Sequence, residues 1–191
     1  MIQAEPQDKA FVVNILTQAF DTNKNVNSII RQDHRRQERI RGLMAYSFEI
    51  CRRFGEVFLS EDKRACALVI YPDRKKTTFD SVWLDIKLAF GCLGLSMVRR
   101  VLNREARIKK LHPQQSISYL WFLGVDLAFQ HQGLGKALLR EVMEQSNVQQ
   151  RPVYLATSMV SNVPWYQKAG FEVYHELDLG YTLYFVRYPY V

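Results

Sequence analysis

The segment from Gln130 to Lys136 has the composition of an anion-binding loop. It follows an apolar run, Ile117 to Val125, and opens a segment with helical spacing. The first N–H groups of a helix have no acceptor within the helix, and the helix dipole adds partial positive charge there. Glycine at positions 133 and 135 would let a phosphate approach the backbone without a Cβ in the way. The spacing therefore predicts a phosphate or pyrophosphate site, and the alternative is a tight turn without a ligand.

Two common nucleotide motifs do not fit this loop. A dinucleotide fingerprint requires a third glycine, where this chain has Leu138, and an acidic residue about 20 residues further on. The next apolar run, Pro152 to Thr157, contains no carboxylate. A P-loop requires Gly-Lys-Ser/Thr, and here Ala137 follows Lys136.

A second motif lies further along the chain and reads Asn162-x-x-Trp165-Tyr166-x-x-x-Gly170-Phe171. Together with Gln130-x-x-Gly133-x-Gly135, it resembles the GCN5-related N-acetyltransferase (GNAT) superfamily over roughly residues 117–175. The chain is most similar to the puromycin N-acetyltransferase-like branch in three segments: Trp121-Phe122-Leu123-Gly124-Val125, Leu155-Ala156-Thr157-Ser158 and Asn162-Val163-Pro164-Trp165-Tyr166.

The order of strand-like and helix-like segments indicates an α/β protein. The resemblance implies one domain over residues 1–191, with a central, mixed, mostly antiparallel seven-stranded sheet flanked by helices and splayed between strands 4 and 5. It also implies an enzyme that transfers an acetyl group from acetyl-CoA to the amine of a small molecule by direct attack. A non-catalytic acyl-CoA-binding module and acetylation of a protein amine are the alternatives.

The resemblance also assigns site residues. Tyr166 is expected to protonate the departing CoA thiolate, with a packed aromatic ring as the alternative. Asn162 is expected to bind the pantetheine arm, and its alternative is capping of the following helix. Unpaired main-chain groups at a parting of two strands could bind the same arm. We therefore expect pantetheine contacts from Leu123, Gly124 and Val125, and pyrophosphate contacts from Gln130, His131, Gln132, Gly133, Leu134, Gly135 and Lys136.

The residue that would take a proton from the amine is not evident. Many members of the superfamily have a glutamate on the strand before the loop, but residues 117–125 contain no carboxylate. Ala156 stands where the related branch tends to have glutamate. Asp126 and His112 are candidates, with a strand-end turn and a loop position as their respective alternatives. The missing glutamate favours the non-catalytic alternative.

The acceptor pocket is expected to come from the helices before residue 117 and from the loop over residues 156–165. Large apolar side chains in these regions predict an aromatic, apolar acceptor that carries an amine, although core packing explains the same residues equally well. They are Phe79, Trp83, Phe90, Met97, Trp121, Trp165 and Tyr181.

Length and composition exclude several classes of protein. A chain of 191 residues, 48% of them apolar, fits one ordinary domain. No apolar run reaches the ~18–20 residues of a membrane span, and no signal peptide is recognisable. The three cysteines, Cys51, Cys66 and Cys92, are widely spaced, which predicts reduced thiols in a cytoplasmic protein and no metal site. The sequence leaves a homodimer open.

The net charge of +7 is concentrated in residues 31–53 and 99–110. We expect two solvated helix faces. Attraction of an anionic cofactor or contact with nucleic acid would be the functional alternatives. No nucleic-acid-binding motif accompanies the charge, so we do not expect nucleic acid to be a partner.

Hydrophobic periodicity predicts the remaining framework. Helices are expected over residues 8–20, 26–31, 37–54, 81–90, 95–109, 133–146 and 163–168. Strands are expected over residues 2–5, 56–60, 65–71, 117–125, 153–157, 172–175 and 181–188.

Overall fold

A seven-stranded sheet forms the centre of the protein, in the order β1-β2-β3-β4-β5-β7-β6. The computed structural model describes residues 1–76, 83–85 and 95–189, with the backbone alone for residues 95–98. Neighbouring strands are antiparallel except β4 and β5, which are parallel. The strands are β1 (Ile2–Gln3), β2 (Gly55–Leu59), β3 (Ala65–Ile70), β4 (Ser118–Val125), β5 (Val153–Thr157), β6 (Glu172–Asp178) and β7 (Thr182–Tyr188). The predicted α/β class and its mixed, mostly antiparallel sheet are confirmed.

Helices cover both faces of this sheet. They are α1 (Lys9–Ala19), α2 (Lys24–Ile29), α3 (Arg36–Phe54), α4 (Leu95–Lys109), α5 (Leu134–Val148) and α6 (Val163–Lys168). The predicted helix over residues 81–90 lies outside the described residues except for 83–85, which are helical. Within the described part of the chain, no helix combines the length and apolar composition needed to cross a bilayer.

The two faces of the sheet have different helices. The predicted apolar stripe of α3, which includes Ile40, Met44 and Phe48, is buried on the first face together with α1. Ile108 of α4 packs on the same face, against β7 and Ala156 of β5. On the second face, α5 and α6 cover the other side of β3 and β5. Every residue of β3 is buried, because this strand has helices on both faces.

The closing strand β6 extends to Asp178, beyond the predicted end at residue 175. Its last residues are mostly polar and exposed, and they pair with β7 through Asp178 and Thr182. Hydrophobic periodicity underestimates the length of such a strand, because edge strands tolerate charged residues that central strands exclude.

The sheet splays between β4 and β5, as predicted. The two strands pair only at Ser118 with Val153 and at Tyr119 with Tyr154, although both continue further. Just beyond this pairing, β4 contains a bulge, since Leu120 and Phe122 pair with successive residues of β3. The bulge leaves Trp121 without a partner on β3 and tilts the strand locally.

Arg151 holds the closed end of this splay. Its guanidinium forms a two-point ion pair with Asp73, with distances of 2.7 Å (Nη1–Oδ1) and 2.8 Å (Nη2–Oδ2). Nη1 also donates to the Ile117 carbonyl oxygen at 3.1 Å, and the Ser118 N–H donates to the Pro152 carbonyl oxygen at 3.0 Å. One buried cation therefore connects the residues before β4 and β5 with the turn after β3.

We predict that Asp73→Asn lowers the free energy of unfolding at pH 7 by about 2 kcal/mol, because it leaves the Arg151 guanidinium without its carboxylate. The hydrogen bonds from Arg151 lower the pKa of Asp73. The stabilisation is therefore complete above the unfolded-state pKa of about 3.9 and is lost as the pH falls through the lower folded-state value. Urea titrations between pH 3 and pH 7 measure both effects.

Glu144→Gln is the control, since this exposed side chain lies 3.6 Å from Arg140 one helical turn away. It should cost at most about 0.5 kcal/mol. Equal stability of Asp73→Asn and the wild type at pH 7 would contradict the role given to this ion pair.

Candidate functional site

The loop between β4 and α5 presents a run of unpaired backbone N–H groups. From His131 to Lys136, no described residue accepts a hydrogen bond from these six N–H groups; the next one, of Ala137, donates to the Gly133 carbonyl oxygen at 3.0 Å. They lie at the N-terminal end of α5, where the helix dipole is positive. The arrangement can bind an anion through main-chain donors.

The backbone of this loop requires its first glycine. Gly133 has a φ of +85°, in the left-handed region, and no atom lies within 4 Å of the position that a Cβ would take. The left-handed backbone conformation therefore explains why glycine occupies position 133, and steric packing within the chain does not. His131 is also left-handed, with a φ of +62°. A Cβ at Gly135 would lie 3.3 Å from Val125 Cγ2, so the helix start packs closely on the end of β4.

The predicted pantetheine residues on β4 differ in the direction of their main-chain groups. The Asp126 N–H donates to the Arg64 carbonyl oxygen at 2.8 Å, next to the pairing of Val125 with Ala65. Because main-chain bonds alternate along an antiparallel pair, Gly124 bonds to β3. Leu123 and Val125 then direct their N–H and C=O groups towards the gap beside β5. The Gln130 side chain donates to the Val125 carbonyl oxygen there, at 3.3 Å.

Gly124 has a packing role. A Cβ at this position would lie 2.7 Å from Leu16 Cδ2 and 3.4 Å from Ile15 Cγ2, both on α1. Leu16 is fully buried, so it cannot move away into solvent. The absence of a side chain at Gly124 lets α1 approach β4.

Tyr166 lies on α6 and shares a hydrophobic cluster with Leu123, Val125 and Leu134. Its ring makes edge contacts with Trp165 and Phe171, with centroid distances of 4.8 Å and 5.5 Å. Burial raises its pKa, so the phenol stays protonated at neutral pH. The hydroxyl bonds to no described residue, and it is not among the fully buried atoms that lack a partner. A packed ring thus carries an available hydrogen-bond donor.

Asn162 lies immediately before α6 and is exposed. Its side chain makes no capping hydrogen bond to this helix, so the capping alternative is wrong. The amide is available to a ligand.

The candidate proton acceptors have structural contacts. Asp126 Oδ1 accepts a hydrogen bond from the Ala128 N–H at 3.0 Å and so caps a turn at the end of β4. The His112 ring lies 4.7 Å from the Tyr119 ring, near the closed end of the splay. Burial lowers the pKa of His112, and its Nε2 is buried without a partner. His112 is therefore a neutral imidazole at pH 7.

The described cysteines do not have the surroundings of nucleophiles. Cys51 and Cys66 are buried, and burial raises the pKa of both thiols, that of Cys66 to about 12. Cys92 lies outside the described residues.

The basic segments are less solvated than expected. In residues 31–53, Arg36 pairs with Asp21 at 2.7 Å and Arg39 pairs with Asp33 at 2.8 Å. The Arg39 and Arg104 side chains are each only 11% exposed. The expectation of two solvated faces is therefore wrong for these two arginines, whose guanidinium groups bond to other parts of the chain.

The predicted acceptor pocket is only partly described, since Phe79, Phe90 and the side chain of Met97 lie outside the described residues. Trp83 is 57% exposed. Trp121 stacks edge-on against Tyr46 at 6.2 Å on the first face of the sheet. Tyr181 belongs to a polar network, because its hydroxyl donates to Asn25 Oδ1 at 2.8 Å.

Sequence reasoning missed Arg64. Its guanidinium carbon lies 3.6 Å from the centroid of the Phe129 ring, which places a cation beside the loop. The pairing of Ala65 with Val125 brings these residues together, and strand register has no local sequence signal.

The chain is similar to known proteins in part of its sequence and in its whole fold. Residues 89–173 match the family model described as the acetyltransferase (GNAT) domain. A histone acetyltransferase and related acetyltransferase from Corynebacterium glutamicum has 16% identity and a TM-score of 0.71, over 100% of this chain and 95% of its own.

Two further structures have the same fold. Arylalkylamine N-acetyltransferase 2 from Aedes aegypti has 16% identity and a TM-score of 0.63, over 97% of this chain and 95% of its own. A ribosomal-protein alanine N-acetyltransferase from Escherichia coli has 13% identity and a TM-score of 0.53, over 99% and 92%. The fold of this chain is therefore that of the GNAT acetyltransferases, and the matches support an acetyltransferase without determining its acceptor.

We predict that Gly124→Ala destabilises the protein by about 1–3 kcal/mol, because its Cβ would overlap Leu16. Adding Leu16→Ala makes room for the new methyl group. The loss in free energy of unfolding of the double variant should therefore be about 1 kcal/mol smaller than the sum of the losses in the two single variants. Urea denaturation of the four proteins measures this coupling, and strict additivity would remove the packing explanation.

Proposed function

We propose that this protein is an acetyl-CoA-dependent N-acetyltransferase that acetylates the amine of a small molecule by direct attack. The observation that carries the proposal is the run of six unpaired N–H groups over residues 131–136 at the start of α5. The match of residues 89–173 to the acetyltransferase domain model supports it. The proposal includes one domain over residues 1–191, a cytoplasmic location and the puromycin N-acetyltransferase-like branch, which rests on the sequence motifs.

The residues of the site fit acetyl-CoA, which would supply an activated acetyl thioester. The backbone N–H groups of residues 131–136 would bind its diphosphate, with the Gln130 side chain fixing the loop on the Val125 carbonyl oxygen. Leu123 and Val125 direct main-chain groups into the gap, where an extended chain of amides can pair with them as an added strand would. The exposed amide of Asn162 would contact the same arm.

The chemical step requires little from the protein beyond positioning. The neutral amine attacks the acyl carbon, the C–S bond breaks, the amine loses a proton and CoA leaves as a thiol. Holding both reactants together can supply about 7–11 kcal/mol of the barrier. Tyr166 donates a hydrogen bond to the sulfur as negative charge develops on it.

We expect Gly135→Asp to weaken acetyl-CoA binding at least tenfold relative to Gly135→Asn. The two side chains have nearly the same size, and a carboxylate at a helix N-terminus favours folding while it repels a diphosphate. Isothermal titration calorimetry with acetyl-CoA measures the difference. Equal affinities for the two variants would show that the diphosphate binds elsewhere, and no heat with any acyl-CoA for the wild type would disprove the proposed function.

Tyr166→Phe should lower kcat by about 10²-fold and leave the KM for acetyl-CoA nearly unchanged, because it removes a hydrogen bond needed only as the thiolate departs. Release of free thiol in the presence of a panel of amines measures both constants. Tyr188→Phe is the matched control, since this ring also packs on Phe171, with a centroid distance of 5.5 Å. Equal kcat values for the two variants would assign Tyr166 to packing alone.

Two alternatives have an observation in their favour. The absence of a carboxylate from β4 favours a non-catalytic acyl-CoA-binding module, which would bind acetyl-CoA and release no thiol with any amine. The similarity to a ribosomal-protein alanine N-acetyltransferase favours a protein amine. Thiol release with peptides but not with small amines would select that acceptor.

A further inference from the structure

A groove with a volume of about 700 Å³ lies between α2, α4 and the turn that joins β6 to β7. Its lining includes four arginines of α4, namely Arg99, Arg100, Arg104 and Arg107. Residues of the β6–β7 turn, Asp178 to Tyr181, form the facing wall. None of these residues belongs to the loop over residues 130–136 that is proposed to bind the diphosphate, called the diphosphate loop below.

The charge of this groove is positive. Arg100, Arg104 and Arg107 are spaced by four and three residues, so they follow one face of α4 over about 10 Å. Within the described residues, neither Arg99 nor Arg100 has an ion pair, and Arg107 bonds only to the carbonyl oxygen of Asp178, at 3.2 Å. These three guanidinium groups are therefore not neutralised by a described carboxylate.

Two described carboxylates near the groove offset only part of this charge. Glu105 pairs with Arg104, and Asp178, which accepts the Gly180 N–H at 2.8 Å, is one negative charge beside the three remaining arginines. Arg104 also donates to Asn25 Oδ1, yet its Nε is buried without an acceptor. The wall of the groove therefore contains a hydrogen-bond donor that the described residues leave unmet.

Hydrogen bonds connect the groove to the splayed end of β5. Tyr181 bonds to Asn25, and the Asn25 N–H donates to Ser158 Oγ at 3.2 Å, immediately after β5. The groove lies on the first face of the sheet, where Ile108 of α4 packs near Ala156. The diphosphate loop and Tyr166 belong to α5 and α6, on the second face. A molecule in the groove would therefore approach the gap from the face opposite to acetyl-CoA.

We infer that this groove binds the acceptor, and that the acceptor is a small amine that also carries a phosphate or carboxylate group. The inference rests on the proposed function and specifies its substrate class. Guanidinium groups bind both anions through two parallel hydrogen bonds, and the groove has three arginines without a described carboxylate partner. This acceptor differs from the aromatic, apolar acceptor that the sequence predicts.

The test compares matched amines in the thiol-release assay with acetyl-CoA. O-Phosphoethanolamine and β-alanine are the anionic probes, and ethanolamine is the neutral one. We expect kcat/KM to be at least tenfold higher for one of the anionic amines, and the comparison between them identifies the anion. Raising the salt concentration should raise the KM for that amine, because salt screens exposed charges. Equal use of ethanolamine, with no effect of salt, would overturn the inference.

The double variant Arg100→Gln/Arg107→Gln removes two exposed charges from the groove. It should raise the KM for the anionic amine about tenfold and leave the KM for acetyl-CoA unchanged. Arg41→Gln/Arg52→Gln is the matched control on α3, where the two arginines bond to Asn14 and Glu49. A parallel rise in the KM for acetyl-CoA would assign the groove to CoA phosphates, and an unchanged KM for the anionic amine would remove its role.

Binding measured without acetyl-CoA separates this inference from the proposed function. Calorimetry with O-phosphoethanolamine or β-alanine should give a Kd that rises about tenfold in the Arg100→Gln/Arg107→Gln variant. Such binding without thiol release from any amine would disprove the enzymatic proposal and support the anion site. Tighter binding of a DNA oligonucleotide that displaces the anionic amine would assign the groove to nucleic acid and overturn the inference.

Discussion

The short pairing between β4 and β5 is the constraint on which the proposed site depends. Two residue pairs join these parallel strands, and then they separate. A peptide group in a sheet interior costs free energy when its hydrogen bonds are not made, so the separated edges require other partners. The chain supplies one of them, the Gln130 amide on the Val125 carbonyl oxygen. The remaining groups of β4 and the N–H groups of residues 131–136 are two sets of available main-chain groups, separated by a turn over residues 126–129 in which the N–H groups of Asp126, Ala128 and Phe129 are already bonded.

The gap also separates two chemical environments. On the second face, the Tyr166 phenol lies among apolar side chains that include Leu134, while most of the loop that carries the main-chain donors is exposed, which suits a thioester joined to a diphosphate. On the first face, Asn25 of α2 connects the same end of β5 with Arg104 of α4, which lines the groove. Two reactants that enter from opposite faces can meet without competing for one pocket. A covalent enzyme intermediate is then unnecessary, which agrees with the burial of Cys51 and Cys66.

Local sequence patterns predict most of the framework. They do not predict contacts between residues that are distant in the sequence. The stripe of α3 and the glycine loop before α5 are encoded in neighbouring residues, so periodicity and conformational preference predict them. Arg151 has no feature in the sequence that distinguishes it from other loop residues. Its role depends on the fold, which brings Asp73 and Ile117 into contact with it. Gly124 matches a cofactor motif, yet its neighbour on α1 gives it a packing role. In the sequence, Arg104 resembles one charge of a solvated helix face, and only the position of α2 shows that its side chain is largely covered.

The missing glutamate on β4 acquires a physical explanation if the acceptor binds beside α4. An amine attacks only when it is neutral, and nearby positive charge lowers the pKa of an ammonium group. The positive charge of Arg99, Arg100 and Arg107 that remains after the anionic group has bound would disfavour the ammonium form of the amine, while the anionic group keeps the molecule in the groove. The positive electrostatic potential of the groove would then favour loss of the proton from the ammonium group, which in many other members of the superfamily is assisted by the glutamate. Water, or the neutral imidazole of His112, would need to accept a proton only from an amine whose pKa is already lowered.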